Sequence, residues 1–131
     1  MVIVDSTVWI DYLRGSHNAH TDWLDSHFPS RRFALLDLIL GEVLQGFADQ
    51  TAFSEVRNGL LQFHIFPTGG VDLAVAAAEN FRTLRQTGYT VRKTIDCLIA
   101  TYCLQNSHAL LHRDRDFDPF EEVLGLQVIR V

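Results

Sequence analysis

Apolar residues in this chain fall alternately into short continuous runs and longer stretches of helical period. Met1-Val2-Ile3-Val4 is too short for a helix and is closed by Asp5-Ser6-Thr7, which predicts a buried parallel strand. Val8-Trp9-Ile10-Asp11-Tyr12-Leu13 then has short-helix spacing, with Gly15 as its stop. Trp23, Leu24 and Phe28 mark a second helix ending at Pro29. Phe33-Ala34-Leu35-Leu36 predicts a strand, after which Asp37 caps a helix that carries Glu42 and ends near Gly46. Phe53, Val56, Leu60 and Leu61 recur at i, i+3, i+7 and i+8 and predict another amphipathic helix. His64-Ile65-Phe66-Pro67 is a short strand that its proline keeps out of a central ladder position. Gly69-Gly70 opens onto a long helix through Ala74, Ala77, Phe81 and Leu84, closed by Gly88. Thr94 caps the helix of clearest period, Ile95, Leu98, Ile99, Tyr102 and Cys103. Ala109-Leu110-Leu111-His112 is a strand leading to Asp114. Asp118-Pro119-Phe120-Glu121 reads as a capping box with proline at the first helical position, Gly125 ends that helix, and Leu126-Gln127-Val128-Ile129 is a last strand. The alternation predicts one α/β domain over residues 1–131: a short parallel sheet of about five strands with helices on both faces.

Four acids far apart in sequence, Asp5, Glu42, Asp96 and Asp114, stand where these elements begin or end, Asp96 in the first turn of its helix and off the apolar stripe. Ligands of an open parallel sheet bind outside the carboxyl ends of its strands, so Asp5 and Asp114 can face one cleft. Carboxylates sharing a cleft repel and raise one another's pKa, which calls for a cation between them, and a hard divalent ion with oxygen ligands suits that place. Taken singly, each acid has a plainer reading: Asp5 as a turn cap and Asp96 as an acid favoured by the helix dipole. Asp118 reads as a helix cap only, and Glu121 and Glu122 as cap and solvent face.

Composition narrows the classes. No apolar stretch is long enough to span a membrane, and the amino terminus lacks a basic leader pattern, so a cytoplasmic protein is expected. Cys97 and Cys103 are six apart, roughly 120° around a helix, which suits neither a disulfide nor a zinc pair; both read as reduced core thiols. A net charge of −5 is no nucleic-acid footprint, but clustered acids account for much of it, and basic residues recur beside them at Arg92-Lys93 and at Arg113 and Arg115. His108 and His112 lie about 13 Å apart along a strand and read as structural.

Other chemistries fail at specific positions. A strand followed by Asp opens the haloacid-dehalogenase-type phosphatases, but their second acid would fall at Thr7. A response-regulator receiver needs an acidic pair where Asp5 stands alone. There is no phosphate loop and no nucleophile elbow around Ser6.

The surviving order resembles the PIN-domain ribonucleases. Val2-Ile3-Val4-Asp5-Ser6-Thr7-Val8-Trp9-Ile10 is similar to their opening strand and turn, and Leu40-Gly41-Glu42-Val43-Leu44-Gln45-Gly46-Phe47 to their Glu helix. Thr90-Val91-Arg92-Lys93-Thr94-Ile95-Asp96-Cys97-Leu98-Ile99-Ala100 is similar to the third acidic motif, and Leu111-His112-Arg113-Asp114-Arg115-Asp116-Phe117 to the fourth. Each motif alone is weak; four in register cover the chain, whose length suits the VapC-type toxins of type II toxin–antitoxin pairs.

The resemblance implies an endoribonuclease using Mg²⁺, with Mn²⁺ able to substitute, in which a metal-activated water hydrolyses an RNA phosphodiester. Asp5 and Asp96 are the expected direct ligands, Glu42 and Asp114 complete the cage, and Asp116 holds a second ion or orients water. Thr7, Arg92, Lys93, Arg113 and Arg115 are the expected substrate contacts. It also implies a homodimer and a cognate VapB-type antitoxin encoded next door. Trp9, Tyr12, Leu13, Trp23, Leu24 and Phe28, with Val43, Leu44 and Phe47, exceed what one side of the sheet needs, and part of that surface is expected to form a groove for an antitoxin helix. A housekeeping nuclease without antitoxin and an inert interaction module remain as alternatives, the latter disfavoured by the intact acidic quartet.

Overall fold

A computed structural model describes residues 1–131. Its centre is a four-stranded, wholly parallel sheet: β1 (Val2–Val4), β2 (Phe33–Leu36), β3 (His64–Phe66) and β4 (Ala109–Leu111), in the order β3-β2-β1-β4. Helices α1 (Ser6–Leu13), α2 (Ala19–His27), α3 (Asp37–Gln45), α4 (Gln50–Leu60), α5 (Val71–Gln86), α6 (Thr94–Gln105) and α7 (Asp118–Leu124) supply the connections, with a 3₁₀ turn at Arg115–Phe117 before α7. Every residue of β1 and β2 is buried, as central strands covered on both faces require. β3, shortened by Pro67, is one edge of the sheet, where the sequence puts it.

Register places the functional acids. β1 pairs with β4 as Val2 with Ala109, Ile3 with Leu110 and Val4 with Leu111, so both strands end at the same level. The Asp5 N–H still donates to the Leu111 carbonyl (2.9 Å), and beyond that bond the two chains part, one into α1 and the other toward Asp114. At the end of β2, Asp37 Oδ1 accepts from the Leu38 N–H (2.8 Å) and from the Thr68 N–H (3.2 Å) and hydroxyl, which pins the loop after β3 to the start of α3. Gly70, at φ +114°, supplies the left-handed step into α5 that a side chain would resist.

Four expectations need correction. The segment 126–129 forms one parallel bridge, Leu110 with Val128, and not a fifth strand. β4 is three residues long and leaves the sheet at His112, so only Leu110 exchanges hydrogen bonds with it. Asp37 and Thr94 are the first residues of their helices; the caps are Leu36 and Lys93, whose side chains have no acceptor to offer, and the Asp37 carboxylate serves Thr68. Asp118 is likewise already helical, and the expected capping box is absent, with Glu121 paired to Arg130 and Glu122 accepting from the Tyr89 hydroxyl at 2.6 Å.

The core gathers β1, β2 and β4 with Trp9, Leu24, Ile39, Val43, Leu84, Ile99, Phe117 and Phe120, and Ile65 and Phe66 of β3 pack against it half-buried. Cys97 and Cys103 are buried free thiols; Cys97 Sγ donates to the Ala77 carbonyl (3.1 Å), and burial pushes the Cys103 thiol up to about 12. No helix is long and apolar enough to cross a membrane.

Candidate metal centre

Asp5 is the first residue beyond β1 and only 2% exposed. It caps α1: its Oδ2 accepts from the backbone N–H (3.2 Å) and the hydroxyl (2.7 Å) of Thr7. The plain reading of Asp5 as a cap therefore accounts for one oxygen. The other, Oδ1, is buried with no hydrogen-bond partner. Glu42 projects from the middle of α3, half-buried, with Oε1 buried and unpartnered. Asp96, on the first turn of α6, is 3% exposed and its Oδ2 also lacks a hydrogen bond. A buried carboxylate oxygen without a donor is unfavourable unless a cation reaches it.

Asp114 follows β4 by three residues and caps the 3₁₀ turn, accepting from the Asp116 N–H (2.9 Å) on Oδ1. That turn folds Asp116 back beside it. Asp96, Asp114 and Asp116 each offer an oxygen, all within 4.8 Å of one another. Asp116, the least defined of the acids in sequence, thus belongs to the tightest group, while Asp5 and Glu42 border it. An all-oxygen donor set with three buried oxygens that accept no hydrogen bond fits a hard divalent ion such as Mg²⁺ or Mn²⁺.

The electrostatics agree with that donor set. Burial, then the nearby charges of Asp5 and Asp96, pushes Glu42 up to about 7. Burial pushes Asp96 up to about 6, with Lys93 opposing and Asp5, Asp114 and Asp116 reinforcing the rise. Asp5 is raised by burial despite its bonds to Thr7. These are like charges crowded in a low-dielectric pocket, the condition that a bound cation relieves.

The expected basic contacts divide. Lys93 points into the cluster, its Nζ 3.2 Å from Asp114 Oδ2 and 3.6 Å from Asp96 Oδ2. Arg92 stands at the rim, 3.9 Å from Asp116. Arg115 is exposed and pairs with no carboxylate. Arg113 turns away: its guanidinium bonds Asp11 on α1 at 2.7 Å, while its backbone N–H donates to the Thr7 hydroxyl oxygen at 3.2 Å. Thr7 therefore lies between Asp5 and the Asp114 segment.

Two residues at the site are not among those the sequence singles out. Asp11 is needed for Arg113, and its place one turn beyond Thr7 on α1 is the only signal for it. His112 is buried, and its Nδ1 accepts from the Asp114 N–H (3.1 Å), orienting that loop. Burial holds its imidazole below the usual range, the neutral form in which Nδ1 can accept. Its position directly after a strand and two before an acid was the signal available.

With the geometry in place, the chain matches the PIN domain family over residues 2–123. It is 33% identical over 135 residues to the ribonuclease VapC11 of Mycobacterium tuberculosis, covering 97% of this chain and 96% of that protein; a VapC ribonuclease of Mycobacterium bovis is equally similar. In solved structures the same fold recurs in VapBC2 from Rickettsia felis bound to a promoter DNA fragment (TM-score 0.76, 16% identity, 98% of both chains). It recurs again in a FitAcB structure from Neisseria gonorrhoeae (TM-score 0.73, 21% identity, 99% of this chain and 97% of that one). Acids in family order on a shared sheet end, the match over residues 2–123, and 33% identity over nearly the whole chain to named ribonucleases lead to one assignment: the chain belongs to the PIN-domain family, in its VapC-type branch.

Proposed function

We propose that this protein is a Mg²⁺-dependent endoribonuclease, the toxin of a type II toxin–antitoxin pair, built as one domain and neutralised by a cognate antitoxin. The observation that carries the catalytic part is the set of buried, unpartnered oxygens on Asp5, Glu42 and Asp96 beside the Asp96–Asp114–Asp116 triple. The partner part is supported by relatives named as VapC ribonucleases and by the fold shared with VapBC complexes.

Asp96, Asp114 and Asp116 would hold the ion, with Asp5 and Glu42 bordering it directly or through water. When bound, the ion supplies Lewis-acid stabilisation of phosphate charge and lowers the pKa of water. The residues of the chain do the rest. Thr7 fixes Asp5 by two hydrogen bonds and leaves Oδ1 free. Glu42, whose Oε1 is buried without a hydrogen bond, offers an oxygen that can accept from water in the cleft. Arg92, beside Asp116, and the exposed Arg115 would meet RNA phosphates, whereas Arg113 would act through its pair with Asp11.

Asp5→Asn and Asp96→Asn test this reading. Each should abolish cleavage of RNA and calorimetric Mg²⁺ binding while the protein stays folded, because loss of one repelling carboxylate does not weaken the metal-free state. Full cleavage by either variant in saturating Mg²⁺ would remove the site from consideration.

A further inference from the structure

Lys93 is the only lysine of the chain; the other ten of its eleven Lys and Arg residues are arginines. It stands immediately before α6, and its ammonium lies 3.2 Å from Asp114 Oδ2 and 3.6 Å from Asp96 Oδ2. That Asp96 oxygen is buried and has no hydrogen bond, so the ammonium is the only cation beside it. A guanidinium is a planar fork suited to one carboxylate face, whereas an ammonium is a compact charge that can sit among oxygens of different residues, as a metal ion does. The one lysine therefore occurs where a point charge and not a fork fits. Its side chain is 52% exposed, so its stem can swing outward without opening the core.

Given the metal site proposed above, on which this rests, we propose that Lys93 is the site's own placeholder cation. Its ammonium holds Asp96 and Asp114 together when no divalent ion is bound and withdraws to solvent when the ion takes those oxygens. Two cations cannot share the same carboxylates at such distances without strong repulsion, and the divalent one has the greater claim. The metal-free protein thereby keeps its ligands gathered, and the ion binds more weakly than it would to an undefended cluster.

The single lysine makes the test direct. Reductive ¹³C-methylation of the full chain labels only Lys93 and the amino terminus, and Lys93→Arg identifies the lysine signal. Titrating Mg²⁺ into metal-free protein should move the Lys93 signal to the position of methylated free lysine, in step with calorimetric binding. Lys93→Met should melt lower than the native chain without metal, melt with it at saturating Mg²⁺, and bind Mg²⁺ several-fold more tightly. If Mg²⁺ binds while the Lys93 signal stays put and Lys93→Met shifts both melting temperatures equally, Lys93 is a fixed ion-pair partner and the placeholder is overturned, with the metal site intact. If the native chain binds no Mg²⁺, the metal site and the placeholder fall together.

Discussion

At Glu42 the cost of an uncompensated charge can be followed with pH. Its folded pKa of about 7 and that of Asp96 at about 6 lie above the ordinary values of 4.5 and 3.8. Folding of the metal-free chain therefore takes up protons between those limits. Its stability falls as pH rises through the window, and the full penalty is present above about 7. Glu42→Gln removes one of these two rises. In a chelator it should melt with the native chain near pH 5 and several degrees above it at pH 8, and Mg²⁺ should close that gap from the native side. A difference independent of pH, measured by thermal unfolding at the two values, would show that Glu42 is not held against its charge. Asp5 and Asp114 are conspicuous in sequence because each follows an apolar strand, whereas Glu42 stands mid-helix in α3 and only the motif around it draws attention to it. The uses of Lys93, Arg113 and His112 were not legible there, because each depends on a distance across the fold: 3.2 Å to Asp114, 2.7 Å to Asp11 and 3.1 Å to the Asp114 N–H.

Between elements, the decisive joint is the one linking the loop after β4 to α1. β1 and β4 end in register, but past Asp5 no strand hydrogen bond holds them, and Asp114 hangs on a loop. The Arg113–Asp11 pair and the Arg113 N–H to Thr7 bond restore the joint. The side chains are half-exposed, so the pair contributes about 0–1 kcal/mol to stability; its effect is on position. Asp11→Ala and Arg113→Ala should thus behave alike, lowering kcat and weakening Mg²⁺ binding with little change in KM or melting temperature. If Arg113→Ala raises KM while Asp11→Ala leaves kinetics untouched, Arg113 contacts RNA instead. Element order as far as α7 was readable from periodicity, down to β3 as an edge strand. What misled were local end signals. Asp37 serves Thr68, Thr94 and Asp118 are already inside their helices, and the run at 126–129 has the composition of a strand but no strand of matching length to join. At Asp37 the tertiary partner, Thr68, decided the outcome.

Across the whole molecule, the exposed apolar surface lies partly where the sequence suggests, at Tyr12, Leu13 and Phe28, and partly on α4, where it does not. Trp9, Leu24 and Val43 are spent in the core. Trp23 is stacked on His27 (4.1 Å) with Arg31 over it, and Arg14 lies over Phe47. What remains is a groove of about 370 Å³ between α1, α2 and α4, lined by Tyr12, Leu13, Phe28, Val56 and Phe63 with Glu55 among them. α4 is the wall that its simple amphipathic period did not reveal as a docking surface. A partner helix with apolar anchors at i, i+3 or i+4 and i+7 fits such a trough, and an acidic side chain at its edge favours a basic residue on that helix. If the proposed function holds, a cognate antitoxin is the expected occupant, and Val56, half-buried in the groove wall, is the residue to probe. Val56→Asp would place a charge against the anchors and should weaken binding by about 1–3 kcal/mol, a roughly 5–150-fold rise in Kd. The isolated variant should still cleave RNA, since Val56 lines the groove and has no place in the acidic cluster. Calorimetry with the purified antitoxin, alongside cleavage by the free variant, reads both quantities. Unchanged affinity in a folded, active Val56→Asp protein would mean that the antitoxin docks on another face.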